Sequence, residues 1–146
     1  MMKGFTLIEL TVALAIAALL LVVVMPSGSY RYGAVALQGS ARDVAAALRL
    51  TRSRAITANR EAEFALDLAN AVYRPAGAAA PVALPRDIRI VLFTAEDERL
   101  SGTVGAIRFF PDGSSSGGDV ALSRGGERYD VLVDWLTGGV SIHERR

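Results

Sequence analysis

One carboxylate stands inside an otherwise uncharged run. From Phe5 to Met25 the side chains are apolar or small, and the single charge among them is Glu9. A carboxylate at bilayer depth costs roughly 2.5–3.5 kcal/mol on insertion scales, so it is normally there for a named partner. A backbone ammonium is the natural one. A cut between Gly4 and Phe5 would create that ammonium at the end of the same segment. It could then pair with Glu9 of a neighbouring copy, so that two costly charges compensate each other. The chemistry to test is therefore proteolysis at Gly4–Phe5 followed by ion pairing between copies.

Other stretches offer less. Phe110-Pro111-Asp112-Gly113-Ser114-Ser115-Ser116-Gly117-Gly118 is rich in glycine and hydroxyls. A phosphate-cradling loop needs Gly-Lys-Ser/Thr leading into a helix, and neither follows here. A serine nucleophile needs a base. The one histidine, His143, lies at the far C-terminal end, and there is no G-x-S-x-G elbow. The loop reads instead as a hairpin connection, with Pro-Asp-Gly starting the turn. Glu96-Asp97-Glu98 puts three carboxylates side by side, whereas a calcium loop spaces them at alternate positions. With no cysteine, disulfides and thiolate metal sites are excluded. No catalytic residue, cofactor site or metal site is expected.

The elements that must position Glu9 follow from hydropathy. A helix over Phe5–Met25 would rise roughly 31 Å, enough to cross the hydrocarbon layer of a bilayer. Pro26-Ser27-Gly28-Ser29 ends or bends it, because proline removes a backbone bond and clashes with the preceding turn. Tyr30 and Tyr32 flank Arg31 there, a composition suited to a membrane–water interface. The helix is expected to resume after Gly33. Leu37, Ala41, Val44, Leu48, Thr51 and Ala55 then step by four and three, which lays them on one stripe. Arg42, Arg49 and Arg60 fall on roughly the opposite side and read as a solvated row. A single such row on a chain of formal charge +1 makes no case for nucleic acid.

After Arg60 the period changes to two. Strands are expected at Glu61–Asp67, Ala71–Arg74, Asp87–Phe93, Gly105–Phe110, Val120–Ser123, Tyr129–Trp135 and Val140–His143. Trp135 shares a strand face with Val131 and Val133 and reads as core. The expected architecture is α+β: an N-terminal helix, membrane-spanning in its first half and amphipathic in its second, packed on antiparallel sheet. The chain of 146 residues suits one small domain beyond the apolar segment. An ordinary signal peptide cut near Ser27-Gly28-Ser29, releasing a periplasmic domain, and an uncut anchor remain as alternatives. Glu9 has no use in either. Lys3 and Arg31 on opposite sides leave orientation open.

Lys3-Gly4-Phe5-Thr6-Leu7-Ile8-Glu9-Leu10 resembles the processing site of type IV pilins and type II secretion pseudopilins. The resemblance implies cleavage by a prepilin peptidase after Gly4, N-methylation of Phe5, and assembly into a filament through Glu9. It also implies a helix kink at Pro26. A second resemblance covers Ile107–Gly118, Val133–Gly138 and Arg52–Ile56, which are similar to the GspH/FimT group of minor pseudopilins and minor pilins. Phe110, Pro111, Asp112, Gly113, Gly117 and Gly118 form its loop motif. The absence of cysteine and the Asp134–Gly138 ending favour the secretion branch; Gly139 departs from the basic residue more usual there. A type IV minor pilin, with a role in DNA uptake, is the runner-up.

These resemblances imply a pilin-like, non-enzymatic subunit near the tip of a pseudopilus. Its partners would be the prepilin peptidase, the major pseudopilin, other minor pseudopilins and the bacterial inner membrane. The expected organisation is a leader at 1–4, the helix over 5–60 and a periplasmic β-rich domain over 61–146.

Overall fold

A computed structural model describes residues 7–24, 28–94 and 102–145 of the chain. The Gly4–Phe5 bond, Pro26 and the Glu96-Asp97-Glu98 stretch lie outside the described residues, as do the side chains of Tyr30, Arg31 and Tyr32. Helix α1 covers Leu7–Val24 and α2 covers Gly28–Ala58. The second helix thus starts before Gly33, where the sequence placed it. The physical reason is that Pro26 penalises the turn preceding it, not the one that follows. The chain divides into two compact units, Met1–Tyr32 and Gly33–Arg146.

Within the second unit, the stripe of α2 is the backbone of the core. Leu37, Ala41, Val44, Leu48, Thr51 and Ala55 have no solvent exposure. Thr51 is satisfied there by donating its hydroxyl to the Ala47 carbonyl at 2.8 Å. The helix stops where Asn59 takes a left-handed conformation (φ 47°) and the Arg60 amide closes on the Ala55 carbonyl.

Among the described residues eight antiparallel strands follow: β1 (Ala62–Asp67), β2 (Val72–Arg74), β3 (Val82–Ala83), β4 (Arg89–Phe93), β5 (Val104–Phe109), β6 (Gly118–Arg124), β7 (Glu127–Val133) and β8 (Val140–Arg145). They form two four-stranded sheets, ordered β3-β2-β1-β5 and β4-β6-β7-β8. The inner faces supply Phe64, Leu66, Ile107 and Phe109 from the first sheet and Val120, Leu122, Val131 and Val133 from the second, all in one cluster with the α2 stripe. Phe64 stacks on Tyr73 with centroids 5.6 Å apart. The first hairpin turns on Asp67, whose carboxylate accepts the amides of Ala69 and Asn70. Gly125-Gly126 makes the two-residue turn between β6 and β7.

Three sequence expectations change. Strand β3 was not foreseen, being two residues inside an Ala/Pro loop. The Phe110–Gly117 loop is not a hairpin connection, because β5 pairs with β1 while β6 pairs with β4 and β7. It contains a local turn, closed by the Phe109–Ser115 bridge, and then carries the chain from one sheet to the other. Gly118 sits at that crossing (φ 152°), where a Cβ would lie 2.9 Å from the Phe93 carbonyl oxygen and 3.0 Å from Ile107 Cδ1. Trp135, finally, is outside the core at 65% exposure, because β7 ends at Val133 and Asp134 opens a turn.

Candidate assembly site

In α1, Leu7, Ile8, Leu10, Val12, Leu14 and Ile16 are all exposed, Leu7 at 81%. At 100° per residue these positions are spread around the helix instead of forming one stripe. Among the described residues of the first unit nothing covers them. Glu9 occupies the first turn, where a carboxylate is favoured by the positive end of the helix dipole. Among the described residues, no helix is both long and apolar enough to cross a membrane. Side chains in α1 are described only from Leu7 to Ile16.

The loop motif belongs to a second, built junction. Phe110-Pro111-Asp112-Gly113 is a β-turn closed by the Gly113 amide donating to the Phe110 carbonyl at 2.9 Å. Asp112 accepts the Ser114 hydroxyl at 2.6 Å and the Ser114 amide at 2.9 Å, and these bonds hold its carboxyl below the usual aspartate range. The loop from Asp134 to Gly139 is built the same way. Asp134 accepts the Thr137 amide at 2.7 Å and hydroxyl at 2.8 Å, with the same downward effect. Buried Ser115 ties the two loops. Its amide donates to the Trp135 carbonyl and its hydroxyl to the Asp134 carbonyl, while it accepts the Gly117 amide.

Helix α2 holds both loops. Arg52 Nε donates to the Gly113 carbonyl at 2.9 Å, and Arg49 Nη2 to the Val140 carbonyl at 2.8 Å. Gly138 (φ 62°) seals the contact. A Cβ there would fall inside van der Waals distance of the Gly113 oxygen and 2.8 Å from Arg52 Nε. The structure therefore brings Phe110, Pro111, Asp112, Gly113 and Gly117 together with Asp134–Gly138 and Arg52, and Gly118 takes the chain onward into β6. Arg42 and Arg60 are exposed and form no part of this junction. Arg49 does, so the arginine row is not one uniform surface. The ties made by Arg49 and Arg52 were missed. Their i, i+3 spacing makes them neighbours on the helix and was the available signal.

Chemically the junction positions chain segments. The Ser115 hydroxyl is engaged with backbone on both sides, and His143 meets Ser141 within hydrogen-bond distance on its own strand. Among the described residues no group of three His, Asp or Glu side chains could hold a metal ion. Toward solvent the junction presents Trp135 and Leu136, both mostly exposed, beside the polar Asp112, Asp134 and Thr137.

The profile of the family described as type II transport protein GspH matches residues 40–138, which contain Arg52 and both loops. The chain belongs to the GspH family. A prokaryotic N-terminal methylation motif matches residues 1–25, which contain Gly4, Phe5 and Glu9. This GspH-family chain is 29% identical to the type II secretion system protein H of Xanthomonas campestris pv. campestris, over 95% of this chain and 82% of that one. Its fold is similar to that of the minor pseudopilin EpsH of the Vibrio cholerae type 2 secretion system, with a TM-score of 0.57 and 11% identity, covering 73% of this chain and 94% of that one. It is also similar to the Pseudomonas aeruginosa type IV minor pilin FimU, with a TM-score of 0.53 and 15% identity, covering 73% and 87%. The α+β arrangement read from the sequence is thus the fold of pseudopilins and minor pilins.

Proposed function

We propose that this GspH-family minor pseudopilin of type II secretion acts by position and not by catalysis. Residues 1–4 are a leader removed by a prepilin peptidase, and Phe5 becomes the methylated N-terminus. The segment from Phe5 anchors the precursor in the bacterial inner membrane with the β-rich part in the periplasm. On assembly the same segment moves into the core of a pseudopilus, with Glu9 setting the stagger against a neighbour's N-terminus. As a minor subunit it stands near the tip and joins the major pseudopilin to the other minor ones. The observation that carries this reading is the exposed, all-round apolar surface of α1 inside the methylation motif. Such a surface needs an apolar phase or other helices around it. The ordered junction of α2 with the two loops suits a subunit whose task is to hold contact surfaces at a fixed angle.

The test is the intact mass and N-terminal sequence of the chain from membranes of its native host. A chain beginning at methylated Phe5 is expected; one beginning near Tyr30 would sink the filament reading in favour of a signal peptide. Glu9→Ala should then leave the thermal unfolding of the β-rich unit unchanged and abolish incorporation into pseudopili. Deletion should stop exoprotein export and leave surface motility intact.

A further inference from the structure

The outer face of the second sheet carries a pattern that the assembly junction does not use. The registers of β4, β6, β7 and β8 align three rows across it. Phe93, Asp119, Leu132 and Ser141 form one end row. Val91, Ala121, Asp130 and His143 form the middle row, and Arg89, Ser123, Arg128 and Arg145 the other end. All twelve point away from the core, since the alternate positions Ile90, Leu92, Val120, Leu122, Val131 and Ile142 pack into it. Such a face on a water-exposed sheet is ordinarily polar throughout. Here Phe93 is 57% exposed, and Val91 and Leu132 are exposed beside it.

The two carboxylates of the face are treated differently. Asp130 is 1% exposed, and both its oxygens face arginine: Arg128 Nε lies 2.5 Å from Oδ1 and Arg145 Nε 2.8 Å from Oδ2. Among the described residues Asp119 has no such cation. Its Oδ1 is buried without a hydrogen-bond partner, although the residue as a whole is only half-buried. Burial, and then the charge of Asp130, push its carboxyl above the usual range; Arg128, Arg145 and His143 act in the opposite direction from a distance. The nearby arginines are already bound to Asp130. Asp119 is therefore a carboxyl group with one desolvated oxygen, set between two apolar side chains whose Cβ atoms lie about 4.5–5.5 Å away as cross-strand neighbours.

We propose that this face docks a neighbouring protein subunit through an arginine or lysine set in an apolar segment. The cation pairs with Asp119, its methylene stem lies on Leu132, and Phe93 offers a ring face beside it. The occupant follows from charge complementarity. One unmatched negative charge with an apolar rim calls for one positive charge with an apolar stem, and a purely apolar segment would bury Asp119 further. The inference rests on reading the chain as a subunit packed among others, and names one of its contacts.

The test uses the full-length chain in its native host, with photoreactive benzoylphenylalanine replacing Phe93. Light should give an adduct to another subunit, at a peptide containing Arg or Lys close to the linked residue. Asp119→Asn should lower the adduct yield roughly tenfold, as expected for loss of a desolvated charge pair, and Asp119→Glu should restore part of it. In detergent, the same Asp119→Asn chain should unfold at a temperature no lower than the parent, because an unpaired buried charge has been removed. A yield insensitive to Asp119→Asn, a linked peptide without a basic residue, or an adduct to a second copy of this chain would each overturn the proposal. The N-terminal mass of the same material separates the failures. A chain processed at Phe5 that gives no adduct refutes this contact alone, whereas an unprocessed chain that gives none refutes the filament reading with it.

Discussion

In α1 the leucines, isoleucines and valine from Leu7 to Ile16 are exposed on every side, whereas in α2 Leu37, Val44 and Leu48 have no exposure at all. Both helices draw on Ala, Leu and Val. The difference lies in spacing and in what the rest of the chain provides. In α2 the apolar positions return every three or four residues, and eight strands close over them. The exposed α1 side chains from Leu7 to Ile16 form no single stripe that one sheet could cover. The apolar residues of α2 therefore work for folding, and those of α1 serve location and assembly in the function proposed above.

That division can be broken by substitution. Leu48→Ala should destabilise the folded chain by about 2–5 kcal/mol in thermal or denaturant unfolding, as buried leucine truncations do. Leu14→Ala should stay within about 0.5 kcal/mol in the same assay. Equal costs would mean that α1 is part of the fold. Gly138→Ala should cost roughly 2–4 kcal/mol, since left-handed strain adds to a clash that pushes the Gly113 loop off Arg52. Its effect would show whether the junction matters as much as the stripe.

Asp134→Asn should produce a smaller loss that depends on pH. The folded carboxyl titrates below the ordinary aspartate value of 3.8 because Thr137 bonds favour its charged form. Its contribution is thus fully present above that value and is lost as pH falls through the lower folded value. The wild type and the variant should differ at pH 7 and converge in strong acid. Trp135→Ala should change stability least, within about 0.5 kcal/mol, because the indole is exposed. A large loss there would mean that the loop leans on its tryptophan after all.

Local and periodic features were legible in the sequence. The α2 stripe follows from the 3.6-residue period, and most strands from alternation. The N-terminal methylation motif, matched over residues 1–25, is contained in one continuous stretch. Features that depend on distant pairing were not legible. Turn chemistry at Pro111-Asp112-Gly113 is the same whether the flanking strands pair with each other or enter different sheets, so the crossing was read as a hairpin. Trp135 continued the alternation of Val131 and Val133, but Asp134-x-x-Thr137 is itself a turn signal, and it won. The outer face of the second sheet needs the register of four strands before Phe93, Asp119 and Leu132 become neighbours. Arg52 entered the reading only through the family likeness; its spacing from Arg49 marks the two as helix neighbours, but does not name the loop carbonyl sixty-one positions away that Arg52 meets.

The two arginine ties from α2 have a mechanical consequence. Arg49 and Arg52 lie one turn apart and grip backbone at the start of β8 and in the first loop, at Val140 and Gly113. A force along the helix axis reaches the strands through both grips in parallel, as well as through the buried stripe. The Ser115 bonds then spread it between the loops. A load applied along α2 would therefore move the β-rich unit as a stiff body, entering it through the Gly113 loop and β8 and not through a single chain linkage.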